Sequence, residues 1–175
     1  MKEPVPLNDW LSSHSLELIQ HSSWQKRKIG PEWECDFNLI GPWIVHLHMR
    51  FPKTVTLTEW KRFYQERAAF LEEHGPKSKA WCEVWSSDGP LPTFTLDERP
   101  LFLQFLQAER GKILRWFGVR TSKLFKAQKE LLDKSPFLIH HPRSLVGALD
   151  SAHDVTEEIE EQRLQASSEN LLFET

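Results

Sequence analysis

Apolar and polar positions alternate strictly in two neighbouring stretches and recur at helical spacing elsewhere. In residues 32–40, Trp33, Cys35, Phe37 and Leu39 alternate with Glu32, Glu34, Asp36 and Asn38. In residues 43–51, Trp43, Val45, Leu47, Met49 and Phe51 alternate with Ile44, His46, His48 and Arg50. A period of two sends alternate side chains to opposite faces, so both stretches predict half-buried strands. The Gly41-Pro42 pair between them predicts a hairpin. A two-residue turn would set Phe37 against His46 and mix the two sets. A three-residue loop, Ile40-Gly41-Pro42, opposes Leu39 to Trp43, Phe37 to Val45, Cys35 to Leu47 and Trp33 to Met49, which keeps one face apolar. The other face then carries Asp36 opposite His46, Glu34 opposite His48 and Glu32 opposite Arg50.

Helical spacing appears around these strands. Asn8 is placed to cap a helix over residues 9–22, and Thr56-Leu57-Thr58-Glu59 forms a capping box ahead of a helix that stops at Gly75-Pro76. Residues 80–86 predict a third strand, and residues 92–96 a short edge strand beginning at Pro92. Phe102, Phe105, Leu106, Ile113, Trp116 and Phe117 return to helical spacing, with Gly111 as a split point. Ser122 caps a further helix to Lys134, Leu138 to Pro142 is a loop or short extended piece, and Ser144 to Leu149 is at most a short helix. These elements predict an α+β fold: a small antiparallel sheet of three to four strands with helices packed on one face.

Charge changes the picture at the C-terminus. From Asp150 onward eight acidic residues face Arg163 alone. Residues 1–150 therefore read as one globular domain, and 151–175 as an acidic, partly helical tail with a helix near 156–166. The chain's 175 residues, 39% hydrophobic with eight Trp and eleven Phe, exclude a disordered protein. No apolar stretch approaches the roughly 18 residues of a membrane helix, and Met1 to Asp9 lacks a signal core. Two cysteines, Cys35 and Cys82, exclude a disulfide scaffold. A cytoplasmic chain is the expectation.

The hairpin's polar face admits two readings. One is a cross-strand charge ladder, each pair contributing about 0.2–1 kcal/mol. The other is a metal site in which His46 and His48 supply nitrogens and Glu34 and Asp36 oxygens, a set suited to zinc, manganese or iron. No cofactor is required by any motif. The His46-Leu47-His48 strand, followed by Pro52 and then a helix, resembles the metal-binding motif of the HUH endonucleases over residues 43–74. That resemblance implies a divalent ion on His46 and His48 and an attacking tyrosine on a later helix. The sole tyrosine, Tyr64, lies instead on the helix immediately after the motif, where its spacing also makes it a core-edge residue.

Other motifs are few. Gly-rich phosphate loops, Gly-x-Ser-x-Gly elbows, Cys-x-x-Cys and His-Glu-x-x-His are all missing. Residues 109–134 hold eight basic against three acidic residues, among them Arg110, Lys112, Arg115, Arg120, Lys123 and Lys126. Such basic helices suit a nucleic-acid backbone or solvate an ordinary outer face. Trp81 and Trp85 flank Glu83 on one strand face, as an interface hot spot or as part of a strand buried on both sides. Without an assembled catalytic set, the sequence predicts a protein-interaction or adaptor-type domain. The competing classes are a metal-dependent enzyme or metal-binding protein centred on His46 and His48 and a nucleic-acid binder through the basic helices of 110–134; neither partner nor oligomeric state is legible.

Overall fold

The computed structural model describes residues 5–77, 80–89, 92, 97–119 and 133–172. Among them the elements run α1 (Leu7–Ser13), β1 (Leu18–Gln20), β2 (Arg27–Lys28), β3 (Glu34–Ile40), β4 (Ile44–Arg50), α2 (Leu57–His74), β5 (Trp81–Ser87), α3 (Arg99–Ala108), β6 (Ile113–Gly118), β7 (Leu138–His140) and α4 (Leu145–Leu172). The seven strands form one mixed sheet in the order β1-β3-β4-β5-β6-β7, with β2 also paired to β3. No helix among the described residues is long and apolar enough to cross a membrane.

The α+β class is right, but the expected sheet of three to four antiparallel strands with helices on one face is not what forms. Only β1, β2, β3 and β4 pair antiparallel; β4 with β5, β5 with β6 and β6 with β7 are parallel. The reason lies in the connections. Helices α2 and α3 carry the chain back before β5 and β6, and such crossovers produce parallel neighbours. Parallel strands need cover on both faces, and both are covered here. On one face α2 and α3 pack Trp60, Phe63, Phe70, Phe102 and Phe105 over Trp33, Phe37, Leu47 and Trp85. On the other, α1 and α4 pack Trp10, Leu11, Ala148, Leu149, Ala152 and Val155 over Ile40, Ile44, Cys82, Val84 and Phe117.

Three local expectations change as well. The helix expected over 9–22 ends at Ser13, with Pro6 rather than Asn8 at its cap. Ser15 then turns the chain at φ 53°, freeing Leu18–Gln20 to pair with Ile40, Leu39 and Asn38. The helical reading of Ile113, Trp116 and Phe117 fails because Gly111, at φ +78°, ends the α3 turn and a strand follows. The register of β6 on β5 slips by one residue after Ile113. That irregularity lets Ile113 and Trp116, three apart, share the face of α3 and mimic helical spacing. At the C-terminus, the pieces expected at 144–149 and 156–166 are one helix, α4. Of the strand expected at 92–96 and the helix expected from Ser122 to Lys134, residues 93–96 and 122–132 lie outside the described residues.

The hairpin keeps the expected parity but not the expected register. Its three-residue loop is Gly41-Pro42-Trp43, so Ile40 pairs with Ile44, Phe37 with Leu47 and Cys35 with Met49. Ile40 and Ile44 are both 1% exposed beneath α1 and α4, and Gly41 supplies the positive φ of +55° that turns the loop. Moving the loop one residue later buries this isoleucine pair without flipping either strand.

The capping box forms as expected. The Thr56 hydroxyl accepts from the Glu59 amide at 3.2 Å, and the Thr56 amide donates to the Glu59 carboxylate at 2.8 Å. Thr56→Ala is expected to lower stability by about 1 kcal/mol, readable as a urea midpoint shift at unchanged slope.

Candidate functional site

The polar residues of the hairpin lie on the α1 and α4 face of the sheet. Along β4 that face runs Ile44, His46, His48, Arg50; along β5 it runs Cys82, Val84, Ser86, then Asp88 beyond the strand. Parallel pairing sets Ser86 beside His48 and Val84 beside His46. The apolar half is covered by α4, and the polar half gathers at the carboxyl ends of the two strands, where ligand sites of parallel sheets lie.

There a chain of hydrogen bonds forms. Ser86 Oγ stands 2.8 Å from His46 Nε2 and 2.8 Å from His48 Nδ1, and His48 Nε2 stands 2.9 Å from Asp88 Oδ1. His46 and Ser86 are buried, at 4% and 5% exposure, whereas the Asp88 side chain is 63% exposed. Both histidines thus spend one nitrogen on a single hydroxyl, which occupies the point where a cation between them would sit.

The expected four-ligand set is therefore not brought together. Asp36 faces His48 across the hairpin but pairs with the Arg50 guanidinium, and Glu34, opposite Arg50, pairs with Lys28 Nζ at 2.5 Å. Asn38, not Asp36, faces His46. The Lys28 hydrogen bond holds the Glu34 carboxyl below its ordinary range. Burial would raise the Asp36 carboxyl, yet hydrogen bonds from Arg50 and the Lys26 amide bring it below the usual value. Among the described residues, the His, Asp and Glu donor atoms that do converge are those of His153, Asp154 and Glu157 on α4. Tyr64, the counterpart suggested by the HUH resemblance, packs against Phe105 and Trp60 beneath α2, on the opposite side of the sheet from His46 and His48. Burial raises its phenol pKa. The two free cysteines also lie on opposite faces, Cys35 under α2 and Cys82 under α4, with burial pushing the Cys82 thiol up to about 12.

His46 carries a pH consequence. Burial, reinforced by neighbouring His48 and opposed by Asp36, lowers its pKa from 6.5 to about 3. Between those values the unfolded chain binds a proton that the folded chain refuses, so stability falls as the pH drops through this window. The slope contributed is about 1.4 kcal/mol per pH unit. Urea unfolding at pH 7 and pH 5, above the ordinary carboxylate range, should show this loss in the wild type and a smaller one in His46→Gln.

Trp81, Glu83 and Trp85 are not an exposed hot spot. All three are buried, and α2 places Arg67, in the stripe Trp60, Phe63, Arg67, Phe70, against them. Arg67 Nε donates to Glu83 Oε1 at 2.7 Å and its Nη2 to Oε2. The Trp85 and Trp81 indoles donate to the same carboxylate at 2.6 and 3.1 Å. The Arg67 guanidinium lies over the Phe105 ring at 4.8 Å and reaches Glu109 at 3.5 Å.

The basic set is likewise dispersed. Arg110 and Lys112 are exposed in the turn before β6, whereas Arg115 is half-buried in β6, so the first of the two basic helices expected over 110–134 is a turn and a strand. Arg120, Lys123 and Lys126 lie outside the described residues.

A groove opens at the other end of β4. Ile19, Leu39, Gly41, Pro42, Trp43 and the α2 terminus at His74 to Lys77 line a space of about 510 Å³. His74 stacks on His21 with ring centroids 3.6 Å apart, holding the α2 terminus to the segment before β2.

Ser86, Asp88 and Arg67 escape sequence reasoning. Ser86 and Asp88 stand at the same parity as Cys82 and Val84, but only the parallel pairing of β4 with β5 brings them to the histidines. Compared with known proteins, the chain matches no family model, no curated protein and no solved structure.

Proposed function

We propose that the chain is a protein-interaction domain that takes an extended segment of a partner in the groove beside the β3–β4 loop. The observation that carries this reading is the groove itself: about 510 Å³, lined by Ile19, Leu39, Pro42, Trp43 and Pro76. That size and apolar lining are those of a site that receives a large side chain. Trp43, half-buried beside Pro42, offers contact area at little entropic cost. Lys77, exposed at the rim, suits a carboxylate next to the apolar anchor. Trp81 and Trp85 contribute nothing directly, being committed to the core.

The test is an amide NMR titration with short peptides pairing leucine or tryptophan with glutamate, against an all-serine control. Saturable shifts at Gly41, Trp43 and Gly75 are expected with the apolar peptides alone. Trp43→Ala should weaken binding by about tenfold or more, as loss of an anchoring aromatic does. Binding that leaves those amides unmoved, or no binding by any apolar peptide, contradicts the reading.

A further inference from the structure

The hydrogen-bond chain at the carboxyl ends of β4 and β5 is separate from the groove and has a definite proton order. Asp88 as a carboxylate only accepts, so the His48 nitrogen facing it, Nε2, carries a hydrogen. With one hydrogen on the ring, His48 presents the Nδ1 lone pair to Ser86, whose hydroxyl donates to it. Having given its one hydrogen, Ser86 Oγ accepts from His46 Nε2. His46 then keeps a bare Nδ1, a buried atom that meets no hydrogen-bond partner among the described residues.

The order Asp88, His48, Ser86 is that of an activated hydroxyl: an acid that fixes a ring, a ring nitrogen free to take a proton, and an oxygen in hydrogen-bond reach of it. His46 adds a donor aimed at the same oxygen, which favours negative charge there. It does so as a neutral ring, because burial keeps it from taking a second proton.

We propose that Ser86 is an acyl-accepting nucleophile, with His48 as its general base, Asp88 positioning His48 and His46 stabilising the developing alkoxide. Ser86 Oγ forms a bond to the carbonyl carbon of an ester while its proton passes to His48 Nδ1. The carbon–oxygen bond to the alcohol breaks, and the departing oxygen takes that proton. Water then attacks the acyl-serine, giving a proton to His48; the acid leaves as Ser86 recovers a proton from His48. Ser86 is 5% exposed, so the probe carries a small acyl group, acetyl.

The test treats the full chain with p-nitrophenyl acetate, follows p-nitrophenolate release and maps the acetyl group by mass spectrometry. Acetylation at Ser86 is expected, absent in Ser86→Ala and slowed by about 10²-fold in His48→Gln, the usual weight of a general base. Ser87→Ala should react as the wild type, since the Ser87 hydroxyl bonds the Gly89 carbonyl, outside the chain of four. Asp88 is exposed enough to replace without unfolding the chain, so Asp88→Asn, expected to slow acetylation by about tenfold or more, decides the matter even where a Ser86 or His48 variant does not fold. No acetylation of Ser86 in the wild type, or an undiminished rate in Asp88→Asn, overturns the proposal.

Discussion

Arg67→Met lowers the free energy of unfolding by about 3–5 kcal/mol, the cost of leaving a buried charge without its partner. Glu83 has no exposed surface, and Arg67 supplies two of the four hydrogen bonds its carboxylate accepts among the described residues. Trp81 and Trp85 supply the others, through neutral indole donors. A double variant, Arg67→Met with Glu83→Leu, removes both charges but strands those indoles, each orphaned donor costing about 1–3 kcal/mol. It therefore recovers only part of the loss. Arg62 is the comparison: 3.9 Å from Glu66 with a 55% exposed side chain, it is worth little. Denaturant unfolding of the four chains separates these cases, and a loss from Arg67→Met no larger than that from Arg62→Met would refute the buried pair.

Phe63→Ala is expected to cost a similar amount, about 3–5 kcal/mol for a fully buried aromatic. Phe63 is 0% exposed and joins α2 to the sheet through rings of both. It stacks on Trp33 at 5.2 Å between centroids and meets Trp85 edge-on at 5.2 Å, with Trp60 and Tyr64 of its own helix alongside. Thermal unfolding checks it, and a loss under about 1 kcal/mol would mean that α2 does not lie on this face.

Local patterns carried the hairpin and α2 because each declares itself within a few residues. Alternation in 32–40 and 43–51 allowed only odd loops, so the shared face of Glu34 and His48 was legible although the register was not. Distinguishing an Ile40-Gly41-Pro42 loop from Gly41-Pro42-Trp43 needs the helices that bury Ile40 and Ile44, and these arrive from residues 7–13 and 145–172. The parallel half of the sheet was illegible for a related reason. Strands covered on both faces have no alternation, as in Trp81–Ser87, where six of seven residues are buried and the run gives no sign of its neighbours. The candidate site inherited that limit. His46 and His48 were visible as a pair, but Ser86 and Asp88 are some 40 residues away. The acids that looked like their partners, Glu34 and Asp36, had nearer cations in Lys28 and Arg50. Trp81, Glu83 and Trp85 were visible as a group, yet whether such a trio faces water or a core depends on the arginine that α2 delivers.

The most direct test of this architecture is the ring-nitrogen NMR spectrum of ¹⁵N-histidine-labelled protein, with and without Ser86→Ala. If β4 and β5 pair in parallel as described, removing one hydroxyl shifts the ring nitrogens of His46 and His48 together, and wild-type His46 stays neutral at pH 5. Ring signals of either histidine unmoved by Ser86→Ala, or a His46 that takes a proton at that pH, would contradict it.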